Sequence, residues 1–546
     1  MIRKPLLLTV FMAFIAMTAF AQDSLWVKYQ NRFKDNRFLF SMEGLDSVEL
    51  LGRGTTLPVL RRYSSRYSRG YQDYRLTGMF SSDSCSLVIG DPGRILWKTN
   101  VSDNNYNNDY MNPNSRWCFK HSKESEHFVV YWDSKFGDNP NSPSVSANLR
   151  VDVDDLLRKA EMFYTRNVDS LKMVTTGGGR SQLDHYKMGI YLLYQTDWLA
   201  VGSGFDNVIG TLWVNPSTCH PVGSTIGHEI GHCFQYQGYC DRILNGGSDN
   251  FHSNFRYGYP KSNGGCGFWE QCAQFQSFQD YPSEAITSYN FSVWLANCHR
   301  HFEHEWQRYA SYFEQYYWLQ YYGNDALGQI WNKSVYPEDA NQAFMRIYLG
   351  NNYDSLRTVL FDYARKTATF DYNRIRAYVG ASTIDRYTVA TCDTTAGWHC
   401  VAYNSCPQPT GFNVIKVNNF KAGSPVTFHF KGLPVGSPLV STDPGKQVDG
   451  DGKTVATVNH FNTTDLAGNE GWAYGFVAYM NDGSRVYGPL RFVNAANQES
   501  ELSFTVPSGV RRLLVVVQGS PMVYRQCPWD EKESTDDQLP YLYKID

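Results

Sequence analysis

Two histidines stand four positions apart in the stretch STIGHEIGHCFQYQGY, residues 224–239, and a glutamate directly follows the first. On an α-helix, residues i and i+4 lie on the same face, so His228 and His232 can offer imidazole nitrogens to one metal ion. Zn²⁺ suits them because it accepts nitrogen ligands in a tetrahedral shell. Glu229 would lie beside the ion, where a carboxylate can take a proton from water and deliver it to a leaving amine. The spacing therefore predicts two zinc ligands and a general base.

A catalytic zinc also needs a third protein ligand and one open position. The sequence favours Glu270 in GFWEQCAQF, because the apolar neighbours predict a buried helix, where a carboxylate is costly unless it is paired or metal-bound. Gln274 shares the helix face of Glu270 and could orient a ligand. Four other side chains remain alternative ligands: Asp241, His252, Asp280 and Glu284. A metzincin site is disfavoured, since no histidine follows Gly238 at the required spacing.

The alternative to a metal site is a helix whose two histidines are merely paired or solvated. Two local features favour the metal. Gly231 costs about 1 kcal/mol relative to alanine inside a helix, which suggests the close approach of another element. The β-branched stretch VIGTLWVN, residues 208–215, predicts a strand just before the helix, where it could pair with an extended substrate.

A peptidase must also stabilise the oxyanion of its tetrahedral intermediate. His299, His301 and His304 lie close together in the chain, and Tyr309 follows them. We select His304 and Tyr309 as candidate catalytic residues for this role, while His299 and His301 stay open as alternatives. The competing interpretation is a polar helix face for the histidines and a core position for Tyr309.

The elements that must position these residues follow from the periodicity of the apolar side chains. Strands are predicted at 127–132, 187–194 and 208–215, and helices at 154–168, 267–278 and 304–323, the last with an aromatic stripe that is typical of core. From about Gly411 the period becomes two, and repeated short strands with a hairpin at Asn481–Gly483 predict a β-sandwich. Residues 22–101 are β-rich, and the Asn-rich stretch 102–115 is a candidate linker.

The composition indicates a globular, exported protein. Of 546 residues, 42% are hydrophobic and 19% charged, which excludes wholesale disorder. The net charge of −3 gives no electrostatic footprint for nucleic acid. Residues 1–21 read as a secretory signal peptide cleaved after Ala21, and no later apolar run has the ~20 residues of a membrane span. The 12 cysteines therefore predict disulfide bridges, whose pairing the sequence does not reveal.

The motif HEIGHCFQ with a later WE helix resembles the gluzincin metallopeptidases, whose third zinc ligand is a glutamate on a following helix. With SEHFVVYW, WAYGFVAYMNDGSRVYG and LLVVVQGSP, it resembles more closely an uncharacterised secreted bacterial and fungal family, and more distantly the enhancin-like peptidases. The likeness covers residues 116–546. It implies an α+β architecture in which a zincin-like domain (116–408) precedes an all-β sandwich (409–546), with Zn²⁺ held by His228, His232 and Glu270. Two departures, the long gap from His232 to Glu270 and Gln274 in place of an acid, leave the substrate open.

The sequence thus predicts a secreted or periplasmic zinc metallopeptidase that acts on a polypeptide or glycoprotein, with the substrate lying along 208–215. The alternative is an exported carbohydrate- or protein-binding protein on a zincin scaffold, which would grip its partner through aromatics such as Trp472 or Trp529. A metal-dependent hydrolase of another bond is a third possibility. Glu229 favours an enzyme, because a purely structural site needs the histidines but no base. Neither nucleic acid nor an integral membrane segment is expected, whereas the C-terminal domain is a candidate for glycan or cell-surface binding.

Overall fold

The chain forms a mixture of α-helices and β-sheets in the computed structural model, which confirms the predicted α+β class. The structure describes residues 114–247, 267–335, 337–440, 463–527, 532 and 535–546. For Phe119 and Thr395, and for the short strands outside these ranges, it describes the backbone alone. Two units are distinguished: 1–168 with 174–247, and 169–173 with 248–546. The predicted signal peptide, most of the Asn-rich linker, His252 and Trp529 lie outside the described residues. The predicted domain limits stay predictions.

The N-terminal part of the first unit is β-rich, as expected. Its strands are β1 (Ser24–Gln30), β2 (Asp35–Ser41), β3 (Ser47–Leu51), β4 (Val59–Tyr63), β5 (Tyr71–Arg75), β6 (Cys85–Ile89) and β7 (Ile95–Leu96). They form two antiparallel sheets, in the orders β2-β1-β6 and β3-β4-β5, and β7 pairs with a later strand.

A larger sheet carries the predicted metal-binding helix. Its strands are β8 (Ser122–Glu124), β9 (Phe128–Trp132), β10 (Tyr186–Leu192), β11 (Ala200–Phe205) and β12 (Ile209–Val214), in the order β11-β12-β10-β9-β8, with β7 pairing with β10. The central strands β9, β10 and β12 run parallel and are mostly buried. Helices α1 (Val153–Thr165) and α2 (Ser224–Leu244) contact the sheet and each other. The three predicted strands and the 154–168 helix are thereby confirmed to within a few residues.

The edge of this sheet differs from the expectation. The predicted substrate-pairing strand, 208–215, is β12, which lies between β10 and β11 and has no open edge. The strand at the end of the described sheet is β11, which pairs antiparallel with β12 and was not predicted. Its sequence AVGSGF carries two glycines, which weaken the strand signal. The chain turns between β11 and β12 through Asp206 and Asn207, both with positive φ of 55° and 57°.

The helices of the second unit are α3 (Gly267–Phe278), α4 (Glu284–Thr287), α5 (Tyr289–Asn297), α6 (Phe313–Tyr322), α7 (Ala326–Lys333), α8 (Ala340–Tyr348), α9 (Tyr353–Thr367) and α10 (Ala381–Ile384). The prediction of α3 is confirmed. The single helix predicted at 304–323 is wrong, because only a short 3-10 turn forms before α6. There the His304 side chain accepts the Trp306 backbone N–H, at 3.1 Å, in competition with helical hydrogen bonds. The aromatic stripe is core, as expected, at Trp306, Phe313, Tyr316 and Tyr317, whereas its fifth member, Tyr309, is only half-buried.

Two sheets form the predicted sandwich of the second unit. One, ordered β13-β14-β23-β16-β21, contains β13 (Thr391–Asp393), β14 (His399–Val401), β16 (Pro425–Gly432), β21 (Glu499–Thr505) and β23 (Tyr541–Ile545). The other, ordered β15-β22-β19-β20, contains β15 (Phe412–Val417), β19 (Trp472–Met480), β20 (Arg485–Val493) and β22 (Val510–Gly519). A small pair, β17 (Gln447–Val448) and β18 (Thr454–Val455), stands apart. The two sheets share one hydrophobic core.

Trp472 belongs to that core, which corrects its suggested role in gripping a partner. Its side chain is 0% exposed, and its indole N–H donates to the Leu539 carbonyl oxygen at 2.9 Å. The turn at Asn481–Gly483 joins β19 to β20 as predicted, with Gly483 at φ 81°.

Among the described residues, no helix is both long and apolar enough to span a membrane. Within the same ranges, no disulfide joins two of the ten cysteines.

Candidate metal centre

The motif residues lie on the buried part of α2. His228 and Glu229 are each 6% exposed and His232 is 5% exposed, so all three are shielded from bulk water. The helix can sit this close to its sheet because glycines face it. A Cβ on Gly204 would stand 2.2 Å from the Tyr236 ring, and one on Gly210 would stand 2.7 Å from the Cys233 carbonyl oxygen.

A glycine of α2 itself, Gly227, allows similarly close packing on the side of the helix that faces α1. A Cβ on Gly227 would stand 2.6 Å from the ring of Phe163 in α1, so this glycine permits the contact between the two helices. Gly231 is buried as well. The close approach inferred from Gly231 is thus observed one turn earlier, at Gly227.

The two imidazoles converge on one point. The Nε2 atoms of His228 and His232 are 3.1 Å apart, and the rings are nearly perpendicular, at 88°. Two nitrogens bound at about 2.0–2.1 Å to one tetrahedral zinc are roughly 3.3 Å apart. The separation of this pair therefore fits shared ligation of Zn²⁺. It also fits a direct Nε2–H···Nε2 hydrogen bond, which is the paired-histidine alternative.

Gln235 selects the tautomer of the neutral His232 ring. Its side-chain oxygen lies 3.0 Å from His232 Nδ1, and both residues are buried. An amide oxygen can only accept, so Nδ1 carries a hydrogen, and in the neutral ring this leaves the lone pair on Nε2. A metal-binding histidine is held in the same way, by an acceptor on its other ring nitrogen. The sequence had shown Gln235 only as part of a family likeness, and its contact gives it a physical role.

The third predicted ligand joins the two histidines. Glu270 lies in the first turn of α3 and is partly exposed. One potential ligand atom from each of His228, His232 and Glu270 lies within 4.8 Å of the others. The donor set, two imidazoles and a carboxylate, is one that a catalytic zinc uses. Among the described residues, this is the only group of three or more histidine, cysteine or acidic side chains that meets so closely.

The alternative ligand Asp241 has a different task. Its Oδ1 accepts the Gln182 backbone N–H and the Gln237 side-chain N–H, each at 2.9 Å. Gln237 in turn donates to the Val208 carbonyl oxygen at 3.1 Å and accepts the Gly210 backbone N–H at 3.0 Å. Asp241 therefore anchors the end of α2 to the sheet. Burial raises the pKa of its carboxyl to about 6. Asp280 and Glu284 take no part in the His–His–Glu group either.

The candidate His304 is deeply buried in a polar network of the second unit. Its Nε2 lies 2.9 Å from Asp536 Oδ2, its Nδ1 accepts the Trp306 N–H, and Gln408 also donates to Asp536 at 3.0 Å. Both ring nitrogens of His304 are thus engaged within the protein. A role of His304 in stabilising an oxyanion stays a prediction.

The other candidates for this role differ in exposure. Burial lowers the pKa of His299 well below its ordinary value and, with His304 nearby, that of His301 to about 3, so both rings are neutral. Tyr309 is half-buried, with the Arg308 guanidinium 5.6 Å from its ring centre. Its assignment as a catalytic residue also stays a prediction.

Comparison with known proteins gives a family and little more. The family model described as "Family of unknown function (DUF6055)" matches residues 96–546, which is most of the chain. The chain belongs to DUF6055. No curated protein matches this DUF6055 member.

Solved structures resemble the protein only weakly. A xylan-binding domain of carbohydrate-binding module family 22 is 12% identical, covers 29% of this chain and 78% of its own, and has a TM-score of 0.16. A functionally unknown conserved protein from Bacillus anthracis str. Ames is 10% identical, covers 62% of this chain and 63% of its own, and has a TM-score of 0.25. At these TM-scores, neither likeness carries an argument about the fold or function of the DUF6055 protein.

Proposed function

We propose that this DUF6055 protein is a zinc-dependent metallopeptidase of the gluzincin type that acts outside the cytosol. The observation that carries the proposal is the His228–His232 pair, whose Nε2 atoms stand 3.1 Å apart on a buried helix. Gln235 directs the lone pair of His232 Nε2 towards His228. Glu270 supplies a carboxylate to the same group. These three side chains would hold the ion.

The chemical roles in the proposed reaction are shared between the bound ion and Glu229 of α2. A bound Zn²⁺ supplies a Lewis acid that polarises a carbonyl group and eases the ionisation of water. Glu229, adjacent in sequence to His228, is the base that accepts a proton from the attacking water at its carboxylate. It then delivers that proton to the nitrogen of the leaving amine. The burial of Glu229 and both histidines keeps bulk water away from this exchange.

The edge strand β11 offers a place for an extended peptide. The Asn215 N–H donates to the Leu199 carbonyl oxygen, so the 199–215 pair is a hydrogen-bonded pair of the β11–β12 ladder. Such pairs alternate along antiparallel strands. The backbone groups of Val201 and Ser203 therefore point to β12, and those of Ala200, Gly202 and Gly204 point to the open edge, where no strand of the described residues pairs with β11. A substrate strand could bond to these three residues by β-augmentation.

The edge strand β11 lies next to Glu229 and His232, the proposed base and one proposed zinc ligand. A Cβ on Gly202 would stand 2.1 Å from the Glu229 carbonyl oxygen and 2.8 Å from the Cβ of His232. A peptide that pairs with β11 would thus run beside the turn of α2 that carries the base and one ligand. We propose β11, in place of 208–215, as the strand that aligns a polypeptide or glycoprotein substrate.

The experiment compares the exported wild type with Glu229→Gln and His232→Ala. Bound zinc is measured by mass spectrometry, and cleavage is measured across a broad peptide and glycoprotein library. The wild type should hold one zinc and cleave. Glu229→Gln should keep the zinc and lose about 10²-fold to 10⁴-fold of the rate, because it removes the base and leaves the ligands. His232→Ala should lose both zinc and activity.

Each arm of the comparison can refute one part of the proposal. A wild type that holds zinc and cleaves no member of the library is a binding protein or a hydrolase of another bond. A wild type that takes up no zinc when it is added has the hydrogen-bonded histidine pair. Undiminished cleavage by Glu229→Gln would remove Glu229 from the mechanism.

A further inference from the structure

Two cysteines face each other across a short hairpin of the sandwich. Strands β13 and β14 pair antiparallel, with Cys392 directly opposite Cys400. The hairpin turns through Ala396 and Gly397, both with positive φ. Residues that are directly opposite in an antiparallel ladder project their side chains to the same face. The two thiols therefore stand side by side.

The spacing of the pair can be read from its neighbours. The Thr394 N–H donates to the Trp398 carbonyl oxygen, and the Ala402 N–H donates to the Ala390 carbonyl oxygen. Because hydrogen-bonded pairs alternate with non-bonded ones, 392–400 is a hydrogen-bonded pair between these two. Such pairs have Cα atoms about 5.5 Å apart, within the 4.4–6.8 Å range of disulfides.

The face on which the thiols lie is partly open. Val401, the next residue along β14, is 0% exposed and belongs to the sandwich core, whereas Cys400 is only half-buried and packs against the margin of that core. Cys392 and Cys400 are both half-buried, whereas the nearby Cys406 is fully buried. Burial, together with the neighbouring Cys392 thiol, raises the pKa of Cys400. An oxidant can reach the pair more easily than it can reach Cys406.

We propose that Cys392 and Cys400 form a cross-strand disulfide in the exported protein. The oxidant is the disulfide of another molecule, such as glutathione disulfide or an oxidoreductase. The Cys392 thiolate attacks one sulfur of that disulfide and releases the other as a thiolate. Cys400 then attacks the mixed disulfide. The sulfurs of Cys392 and Cys400 become joined, their two protons pass to the two thiolates released from the oxidant, and the oxidant leaves as two thiols.

The bridge would secure a weak corner of the sheet. β13 lies at one end of the sheet, each strand of the hairpin has three residues, and β14 joins β23 through only two residue pairs. Few ladder contacts oppose fraying of such an edge. A bond between the strands holds β13 in register with β14 when the other contacts open.

The first test maps the thiols of the exported full-length protein. Exposure to glutathione disulfide, trapping with N-ethylmaleimide under denaturing conditions, and digestion with trypsin, Asp-N and chymotrypsin are followed by mass spectrometry. The cut before Asp393 separates the two cysteines, and the cut after Tyr403 separates Cys400 from Cys406. A Cys392 peptide linked to a Cys400 peptide, two hydrogens lighter than their sum, is expected. Cys392 recovered as a maleimide adduct, or linked to another cysteine, overturns the proposal.

A double-mutant cycle, followed by the melting temperature, gives an independent test of the disulfide. Under oxidising conditions, Cys392→Ser and Cys400→Ser should each lower the melting temperature by the same few degrees, and the double variant should lower it no further. A reductant should abolish these differences. The half-buried Cys527 serves as the control, and Cys527→Ser should retain the 392–400 link. Additive losses in the double variant would show that the two thiols act separately.

Discussion

Gly202 of β11 lies directly against the main chain of Glu229. A Cβ on Gly202 would stand 2.1 Å from the Glu229 carbonyl oxygen and 2.8 Å from the Cβ of His232. The glycine thus sets the distance between the edge strand and the turn of α2 that carries the proposed base. Any side chain at this position must separate the two elements.

Gly202→Ala tests that spacing. The added methyl meets backbone, which relaxes less easily than a flexible side chain, so the variant should lose about 1–3 kcal/mol of unfolding free energy. Its kcat/KM on a peptide substrate should fall as β11 moves from Glu229. Gly380→Ala is the matched control, because its Cβ would meet nothing closer than 3.9 Å. Equal stability of the two variants in urea unfolding would contradict the packing described here.

Gln235 should control zinc affinity through the tautomer of His232. Gln235→Leu removes the acceptor at Nδ1, and we expect zinc to bind about 10–100 times more weakly, the usual effect of removing such a contact. Gln235→Glu retains an acceptor oxygen and should bind zinc more tightly than the leucine variant. Competition with a chelating dye measures both without reference to activity. If the glutamate and leucine variants bind zinc equally weakly, the hydrogen bond has no part in ligation.

The sequence was sufficient for α2, because the spacing of His228, Glu229 and His232 is itself the helical signal. It was insufficient for β11. Gly202 and Gly204 are there to admit α2, and the packing demand that selects glycine also removes the strand propensity by which a strand is recognised. Trp472 shows a second limit of prediction from sequence. Its burial depends on packing against a second sheet, and no local sequence pattern reveals that packing. The role of Gln235 likewise required a distance.

Asp241 should make the protein less stable as the pH rises from about 4 to 6. Burial raises the pKa of this carboxyl from 3.8 to about 6. In that range the unfolded chain has lost the proton that the folded chain still binds, so rising pH favours unfolding. The loss is complete above the folded pKa and amounts to at most about 3 kcal/mol.

Asp241→Asn removes this titration and keeps an oxygen for Gln182 and Gln237. The stability of Asp241→Asn relative to wild type should therefore rise between pH 4 and 6 and level off above pH 7. Urea unfolding in the presence of a chelator measures the difference free of metal effects. The exposed Asp197→Asn is the control and should follow the wild type. If the unfolding free energies of wild type and Asp241→Asn change in parallel with pH, the raised pKa of Asp241 is refuted.

The hydrogen-bonding pattern of β11 predicts that proline at two neighbouring positions will have different effects, one on substrate binding and the other on folding stability. The Ala200 N–H points to the open edge, so Ala200→Pro should leave the ladder to β12 intact and remove one bond to a substrate strand. One lost hydrogen bond of 0.5–1.5 kcal/mol corresponds to a fall of about twofold to tenfold in kcat/KM. Val201 faces β12, opposite Trp213. Val201→Pro should break the ladder and lower the melting temperature. Steady-state kinetics and thermal unfolding of both variants separate binding from folding, and an unchanged kcat/KM for Ala200→Pro would place the substrate away from β11.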